Sequence, residues 1–409
     1  MSRLVLAAAL LLGGTGVEAL DVDARLKYFA TLSALPDEDL QRQRSGTPAF
    51  DDNLDLRLLL REEAGAFRIV ADHSTTLVRG DALDGTGFGV TLDQTVADDS
   101  RRALDLTWTL DDGGNHRLFQ RFDRLALQYR QGPWAATVGR QAVSWGNGLV
   151  FQPLDLFNPF APTTVDQDYK AGDDLLLLER SLREGGSLQL LAVARRDDAD
   201  DVTADAGSLA AKWHRFVGQG ELELVAGRHH SDRVFGTALR FPLGGALLRS
   251  DLVATRLEAG TWKLSGIVNL DYSLVLGQRN VYLFGEYFHN AFGVRRLPDD
   301  PAGYPIALTD RLARGELFNL MRDYLAAGWS IEWHPLWSQT LTLIGNLNDG
   351  SVLLQTQLSH EPGDHQRLEL GVVEPLGGAG KEFGGVPVAG RALTVGGGTR
   401  VYLRWAYYF

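Results

Sequence analysis

The chain has 409 residues, of which 22% are charged, with a formal net charge of −12 and no cysteine. The acidic balance argues against nucleic acid as a partner, because phosphate binding requires a basic face. The lack of cysteine excludes disulfides and thiolate metal sites. No apolar stretch of about 18 residues, the length that a transmembrane helix needs, follows the N-terminus, so a helical membrane protein is excluded.

The first residues are typical of a secretory signal peptide. Arg3 supplies a positive charge, an apolar run follows at 4–12, and glycines interrupt that run before a small-residue cleavage site that ends at Ala19. The run is too short to span a bilayer. We therefore predict a signal peptide over 1–19 and one mature domain over 20–409. The alternative is a buried N-terminal strand or helix.

Beyond the leader, the hydrophobic period is two. The longest example is 262–274, where Leu264 and Val268 alternate with polar residues such as Lys263, and only Ile267 breaks the pattern. A tilted strand needs about 9–11 residues to cross a bilayer. Alternation over that length, with apolar residues on one face, predicts a strand with lipid outside and water inside.

The same pattern recurs along the whole chain. The candidate strands are 21–32, 53–62, 66–78, 87–95, 101–111, 117–130, 134–144, 174–183, 187–197, 207–216, 221–230, 233–242, 246–257, 261–274, 280–291, 323–334, 337–347, 352–360, 366–375 and 399–409. Those at 21–32 and 87–95 have the weakest alternation. We predict an all-β fold, a transmembrane antiparallel up-and-down barrel of about 18–20 strands, with 16 strands as the alternative.

The connections between these strands give an independent test. The long links 145–173, 292–322 and 376–398 are separated by short ones such as 275–279 and 361–365. If both termini lie on one side, every long link falls on the other side. A closed meander produces this parity, and closure also removes unpaired sheet edges from lipid.

The last strand carries a further mark, because Trp405, Tyr407 and Phe409 alternate on one face and the chain ends in phenylalanine. Such an end resembles the signal that the outer-membrane assembly machinery reads. The alternative is a hydrophobic closing strand of a soluble barrel. We expect export to the bacterial outer membrane, with outer-membrane lipids, lipopolysaccharide and the assembly machinery as partners.

The segment from Gly139 through Arg140, Gln141, Trp145 and Gly146, followed by Asn158-Pro159, is similar to a G-R-Q-x-x-x-W-G…N-P pattern. This pattern resembles that of large porin-like barrels of Gram-negative bacteria, loosely akin to alginate-export proteins. The local match covers about twenty residues. The resemblance implies an outer-membrane channel of about 16–20 strands, and it does not fix the solute.

Alternation assigns charged residues of both signs to the inward face. These candidate pore-lining residues are Arg57, Arg61, Arg68, Asp72, Asp105, Glu223, Arg240, Arg249, Asp251, Lys263, Asp271, Glu369 and Arg404. A mixed wall of this kind suits a polar channel. The alternative is that the charges only pair across strands and contribute about 0.2–1 kcal/mol each.

The link 145–173 is unusually apolar for an exposed loop, and it also carries acids. Exposed apolar patches tend to be functional or covered. We predict that this link folds into the barrel as a constriction; the residues assigned to it are Trp145, Asp155, Asn158, Asp166 and Asp168. The alternative is a capping loop that packs outside the lumen.

The sequence offers little support for an enzyme. His229 and His230 suggest a metal site, but adjacent residues of a strand point to opposite faces. Neither G-x-S-x-G nor H-E-x-x-H occurs. We therefore expect no catalytic residues, no metal and no cofactor.

We expect an outer-membrane channel for the diffusion or selective passage of small polar solutes. One alternative is a dedicated conduit for a single cargo, such as a polysaccharide or a hydrophobic compound. A second alternative is a barrel enzyme.

Overall fold

The computed structural model describes residues 20–84, 99–388 and 393–409. The strands are β1 (Asp21–Ala34), β2 (Ala49–Ala64), β3 (Phe67–Gly80), β4 (Thr107–Gly113), β5 (His116–Gln131), β6 (Trp134–Gln141), β7 (Asp173–Ser181), β8 (Ser187–Arg196), β9 (Val202–Val217), β10 (Gly220–His229), β11 (Asp232–Leu243), β12 (Ala246–Arg256), β13 (Trp262–Leu276), β14 (Arg279–His289), β15 (Asp323–His334), β16 (Trp337–Asn346), β17 (Val352–Gly363), β18 (Gln366–Leu376), β19 (Val386–Pro387), β20 (Thr394–Val395) and β21 (Thr399–Tyr408). Two short helices are α1 (Leu40–Ser45) and α2 (Ile306–Ala313). Within the described ranges, no helix has the length and apolar character needed to cross a bilayer.

All the described strands except β19 and β20, which pair only with each other, form one closed antiparallel sheet. Nineteen strands belong to it, and the first strand, β1, pairs with both β2 and the last strand, β21. One edge of β5 pairs with β3. Along its other edge, β4 pairs with the first half of β5 and β6 pairs with the second half. β4 is therefore a short addition to the rim, and the closed ring itself has 18 strands. This confirms the predicted fold class and the lower end of the predicted strand range.

Burial alternates along the strands as the sequence predicts. In β13, Leu264, Val268 and Leu270 are exposed on the outer face, whereas Ser265 and Asn269 are buried inside. Apolar outward residues recur on every long strand, for example Leu54, Leu56 and Leu58 of β2. An outward apolar band around a charged interior is the pattern of a barrel that sits in lipid.

The long links of the ring all lie at one end of the barrel, where the two-residue turn 230–231 also lies. Two-residue turns at 65–66, 132–133, 218–219, 244–245 and 277–278 lie at the end of the barrel that also holds both ends of the described sheet. The links 142–172, 290–322 and 377–398 all lie at the opposite end. The short turns contain residues that can adopt the positive φ of a tight hairpin turn, such as Gly277 with φ 55°.

Two of the twenty candidate strands need comment. The strand predicted at 87–95 lies outside the described residues. The strand predicted at 101–111 is only partly right, because the strand there runs from Thr107 to Gly113 and the chain before it is irregular. This segment is held by buried Arg140, whose side chain bonds Asp99, Asp174 and the carbonyl of Leu104, so it is a fixed loop and not a ladder.

The interior contains an apolar cluster as well as charges. Phe29, Ile267, Phe288, Tyr324 and Tyr402 of the wall meet there, together with residues from the long links. Ile267, which breaks the alternation of β13, faces inward and joins this cluster. The lumen is therefore partly filled by protein at this level.

Candidate functional site

The link 142–172 folds into the barrel and crosses its lumen. It leaves β6 and reaches the inner wall at β12, β13 and β14, which lie nearly opposite β6 in the ring. It then contacts β17, β1 and β21 before it returns to β7. We call this segment, residues 142–172, the crossing loop.

A buried carboxylate, that of Glu286, binds three successive residues in the first half of the crossing loop. Glu286 of β14 accepts hydrogen bonds from the backbone N–H groups of Leu149, Val150 and Phe151, at 2.7, 3.0 and 2.7 Å. Asn269 donates to the same carboxylate at 2.9 Å. Glu286 is 1% exposed, so these bonds are sheltered from water. A carboxylate that accepts several backbone donors is a strong local anchor.

A glycine of the sequence motif permits this approach. Gly146 has φ 92°, and a Cβ at this position would lie 2.6 Å from the carboxylate of Asp251. Asp251 itself accepts the N–H of Asn147 at 2.8 Å. The Trp145-Gly146 pair of the motif therefore turns the chain from the end of β6 towards the opposite wall.

Aromatic side chains of the crossing loop pack against the inner wall of the barrel. Phe151 stacks on Phe288 with ring centroids 4.7 Å apart. Trp145 meets Phe157 edge to face at 5.2 Å, and both are buried against β7–β12. Each of these rings places apolar area on the inner wall rather than in water, which accounts for the apolar composition of the loop.

The second half of the crossing loop carries its acids to a basic wall. Asp166 pairs with Lys27 of β1, and it lies 3.4 Å from the Arg404 guanidinium of β21. Asp168 pairs with Arg404 and lies 3.0 Å from Arg25. Two loop carboxylates thus contact three cations of the inner wall.

The charges decide the protonation state of Asp166. Burial alone raises the pKa of a carboxyl group, but the charges of Lys27 and Arg404 outweigh it, and the pKa of Asp166 lies below its usual range. Asp166 is therefore ionised throughout the physiological range. Its side chain is 3% exposed, whereas that of Asp168 is 24% exposed, so Asp168 is the one that faces open space.

Tyr169 completes the contact with the basic wall. Its ring lies 3.6 Å from the guanidinium carbon of Arg57 and 4.7 Å from that of Arg124. A ring this close to two guanidinium groups contributes cation–π attraction to each of them. Arg57 also pairs with Asp123, so the basic wall is a network and not a single site.

The candidate pore-lining residues occupy inward positions of the strands with one exception. Several are paired in the wall: Arg61 with Asp72, Arg249 with Asp271, Arg404 with Glu369, and Glu223 with Lys212. Asp251 and Arg240 contact Asn147 of the crossing loop. Arg68 lies at the short-turn end of β3 beside Glu63, and Lys263 lies at the long-link end of β13.

Asp105 is the exception. It is exposed and lies in the irregular chain before β4, so its prediction as a wall residue is wrong. The alternation around it reads like a strand, but the bonds of Arg140 hold that chain as a loop.

The residues assigned to the constriction do not all face the lumen. Asp155 is buried in an ion pair with Lys170 of the same loop, and burial raises its pKa to about 6. Trp145 is buried against the wall, where its Nε1–H donates to Gln189. Asn158 sits in a left-handed turn with φ 56°. Of these five residues, Asp166 and Asp168 are the ones that reach the basic wall of β1 and β21.

Sequence reasoning missed several residues of the site. Arg25 and Lys27 lie on β1 at alternate, inward positions, and this alternation was the available signal. Glu286 and Arg124 had no local signal, because their roles depend on backbone donors or a ring from a distant loop.

The side chains of the adjacent residues His229 and His230 turn towards the same partner. His229 ends β10, and His230 has φ 52°, which turns its side chain towards the same partner. Both Nε2 atoms lie 3.1 Å from Oε1 of Glu316 in the link 290–322. The expectation that these two rings point to opposite faces is therefore wrong.

No protein-family model matches this chain, and no curated protein matches it. Solved structures do. The structure of Pseudomonas aeruginosa OpdK with vanillate is 13% identical over 95% of this chain and 98% of that one, with a TM-score of 0.54. Acinetobacter baumannii OccAB1 is 9% identical over 97% of this chain and 98% of its own, with a TM-score of 0.52.

Another structure of OpdK, 12% identical with a TM-score of 0.52, is described as an outer membrane protein. These neighbours agree with the porin-like part of the sequence resemblance and not with its alginate-export part. At such identities the likeness concerns the fold. The chain therefore has the fold of porin-type outer-membrane β-barrels.

Proposed function

We propose that this protein is an outer-membrane channel for small polar solutes, with the crossing loop as its constriction. The observation that carries the proposal is the contact between the crossing loop and the basic wall, where Asp166 and Asp168 meet Arg25, Lys27 and Arg404 inside a closed ring. Fixed charges in a narrow passage select among solutes, because screening there is poor.

The exterior supports the membrane location. A ring whose outward positions are apolar and whose inward positions are charged fits lipid outside and an aqueous passage inside. Residues 1–19 would direct export and be removed, and 20–409 would form the barrel domain. Trp405, Tyr407 and Phe409 end the closing strand, where we propose that the assembly machinery binds. Outer-membrane lipids and lipopolysaccharide would surround the ring.

The basic wall favours solutes with a carboxylate. Arg25 and Arg404 share Asp168, whose side chain is partly exposed. A small anion that replaces Asp168 would find two guanidinium groups already in place. OpdK was crystallised with vanillate, an aromatic carboxylate, which makes vanillate a reasonable probe.

A polysaccharide conduit is less favoured, because a long polymer needs a passage that the crossing loop would obstruct. A barrel enzyme is also less favoured, because the charged groups around the crossing loop are engaged in ion pairs.

Bilayer recordings test the proposal. The folded protein should give discrete current steps, and vanillate should interrupt them. The double variant Asp166→Asn with Asp168→Asn leaves the wall cations uncompensated, so its reversal potential in a KCl gradient should shift towards anion selectivity. The matched control is the double variant Asp200→Asn with Asp205→Asn. These two exposed acids lie in the link before β9 and near the start of β9, and their replacement should shift the reversal potential little. Folded protein without current steps would contradict the proposal.

A further inference from the structure

Three metal-ligating side chains converge at the rim of the barrel, outside the contacts of the crossing loop with the basic wall. They are His229 at the end of β10, His230 in the turn that follows, and Glu316 in the link 290–322. One ligand atom from each lies within 4.8 Å of the others. The two Nε2 atoms are each 3.1 Å from Oε1 of Glu316.

The backbone makes this convergence possible. Neighbouring residues in a strand project to opposite faces. His230 has left the strand and adopts φ 52°, and its N–H donates to the carbonyl of Gly207 at 3.0 Å. The two imidazole centroids consequently lie 4.7 Å apart. A non-glycine residue with positive φ is uncommon, and it marks a position where the side-chain direction matters.

The two separations between a histidine nitrogen and the carboxylate oxygen match a tetrahedral ion. Zinc binds histidine nitrogen at about 2.0–2.1 Å and carboxylate oxygen at about 2.0–2.2 Å, which places neighbouring ligand atoms about 3.3 Å apart in a tetrahedron. The observed separations of 3.1 Å need only a small adjustment. Two imidazoles and one carboxylate form a ligand set that zinc uses with an open fourth position.

Neighbouring groups orient the ligands. Ser208 Oγ lies 2.9 Å from Nδ1 of His229, which holds the ring so that Nε2 faces Glu316. A cavity of about 40 Å³ borders His229 and Glu316, with Thr255 and Ser265 among its lining, and it can accommodate a water as the fourth ligand.

Two arginines also face this cluster. Arg314 Nε lies 2.7 Å from Oε1 of Glu316, and Nη2 of the same residue lies 3.3 Å from Oε2. A metal on Oε1 would leave Oε2 for Arg314. Arg311 lies 3.9 Å from Oε2, and its main partner is Asp232. Arg314 therefore contacts both carboxylate oxygens, and its Nε must leave Oε1 for a metal to bind there, while Nη2 keeps its contact with Oε2.

We propose that His229, His230 and Glu316 form a binding site for a divalent transition-metal ion of the zinc class. The ion would join the β10–β11 turn to the link 290–322. This proposal does not depend on which solute passes the barrel.

Cobalt and zinc binding to the folded full chain in detergent tests it. Co²⁺ should bind at one equivalent and give the intense visible absorption of a tetrahedral nitrogen and oxygen site, and Zn²⁺ should displace it. Zn²⁺ should also raise the thermal unfolding midpoint, since a ligand that binds only the folded state stabilises it.

The variants remove one ligand each. Glu316→Gln is close to isosteric, and His230→Asn keeps a residue type that tolerates positive φ. Each should weaken Zn²⁺ binding at least tenfold and abolish the cobalt spectrum, with heat-modifiable migration unchanged. The matched control is His214→Gln, which removes another imidazole that lies beside a glutamate, Glu221, at 3.4 Å. This control should bind Zn²⁺ as the parent does.

Either of two results would overturn the proposal. One is a folded parent that binds no Co²⁺ or Zn²⁺ at millimolar concentration. The other is equal binding by the parent, Glu316→Gln and His230→Asn. In both cases the cluster would be a hydrogen-bonded contact between turn and link.

Discussion

Replacing Glu286 by glutamine should release the first half of the crossing loop. The carboxylate accepts three backbone N–H groups, from Leu149, Val150 and Phe151, and is 1% exposed. In Glu286→Gln one of the two acceptor oxygens becomes an NH₂ group, so at least one backbone donor loses its partner. A hydrogen bond to a charged group contributes about 1.5–3 kcal/mol, and a neutral one about 0.5–1.5 kcal/mol.

The expected effect follows from these values. Loss of one charged bond and weakening of the other two give about 3–5 kcal/mol in favour of the undocked loop. Because about 1.4 kcal/mol corresponds to a factor of ten, amide exchange at 149–151 should accelerate at least about a hundredfold. Hydrogen–deuterium exchange with mass spectrometry on the folded variant measures this.

The matched control is Glu221→Gln. Its carboxylate is 30% exposed and lies 3.3 Å from Arg240, so it is a solvent-screened pair worth about 0–1 kcal/mol. This variant should leave exchange at 149–151 within a fewfold of the parent. Equal exchange in the parent and in folded Glu286→Gln would refute the anchoring role of this carboxylate.

Three further predictions concern the lipid face, pH and assembly. Leu343→Arg places a charge on the outer face of β16 and should destabilise the barrel by about 2–4 kcal/mol near the midplane. Thr342 faces inward at nearly the same depth, so Thr342→Arg should have a smaller effect. Equal midpoints of the two variants in urea unfolding would contradict the alternation of the strand. Because the pKa of Asp166 is lowered, its pair with Lys27 contributes stability above the ordinary carboxyl pKa and loses it only as pH falls below that value. The conductance ratio of Asp166→Asn to the parent should therefore be the same at pH 7 and pH 5, and a ratio that returns to one between those values would be inconsistent with the ion pair. Deletion of Phe409 should leave unfolded protein in the periplasm without heat-modifiable migration, and normal folding would show that this residue is incidental to assembly.

The fold was accessible from sequence because a period of two and the parity of link lengths are local and repetitive. Ile267 shows the limit of such reasoning, because its inward apolar side chain is explained only by a cluster that Phe151 joins from the crossing loop. Asn269 shows the same limit. It faces inward but is 1% exposed, bonded to Glu286 and to the carbonyl of Asn147, so an inward position does not imply contact with water.

The site was less accessible for a related reason. The composition of 145–173 indicated a loop that folds inward, but it did not show which acids reach the wall. Asp155 and Asp166 look alike in sequence, yet Asp155 pairs with Lys170 of the same loop and Asp166 pairs with Lys27 of the barrel wall. His229 and His230 depend on one backbone angle that no residue pattern indicates.

Single-channel conductance of a loop-deletion variant tests the central claim most directly. Residues 150–168 would be replaced by a short glycine-serine linker, which leaves the 18 strands of the ring intact. If the crossing loop is the constriction, the folded variant should conduct several-fold more than the parent and lose much of its ion selectivity. Conductance and reversal potential equal to those of the parent, in a variant that migrates as a folded barrel, would contradict the claim.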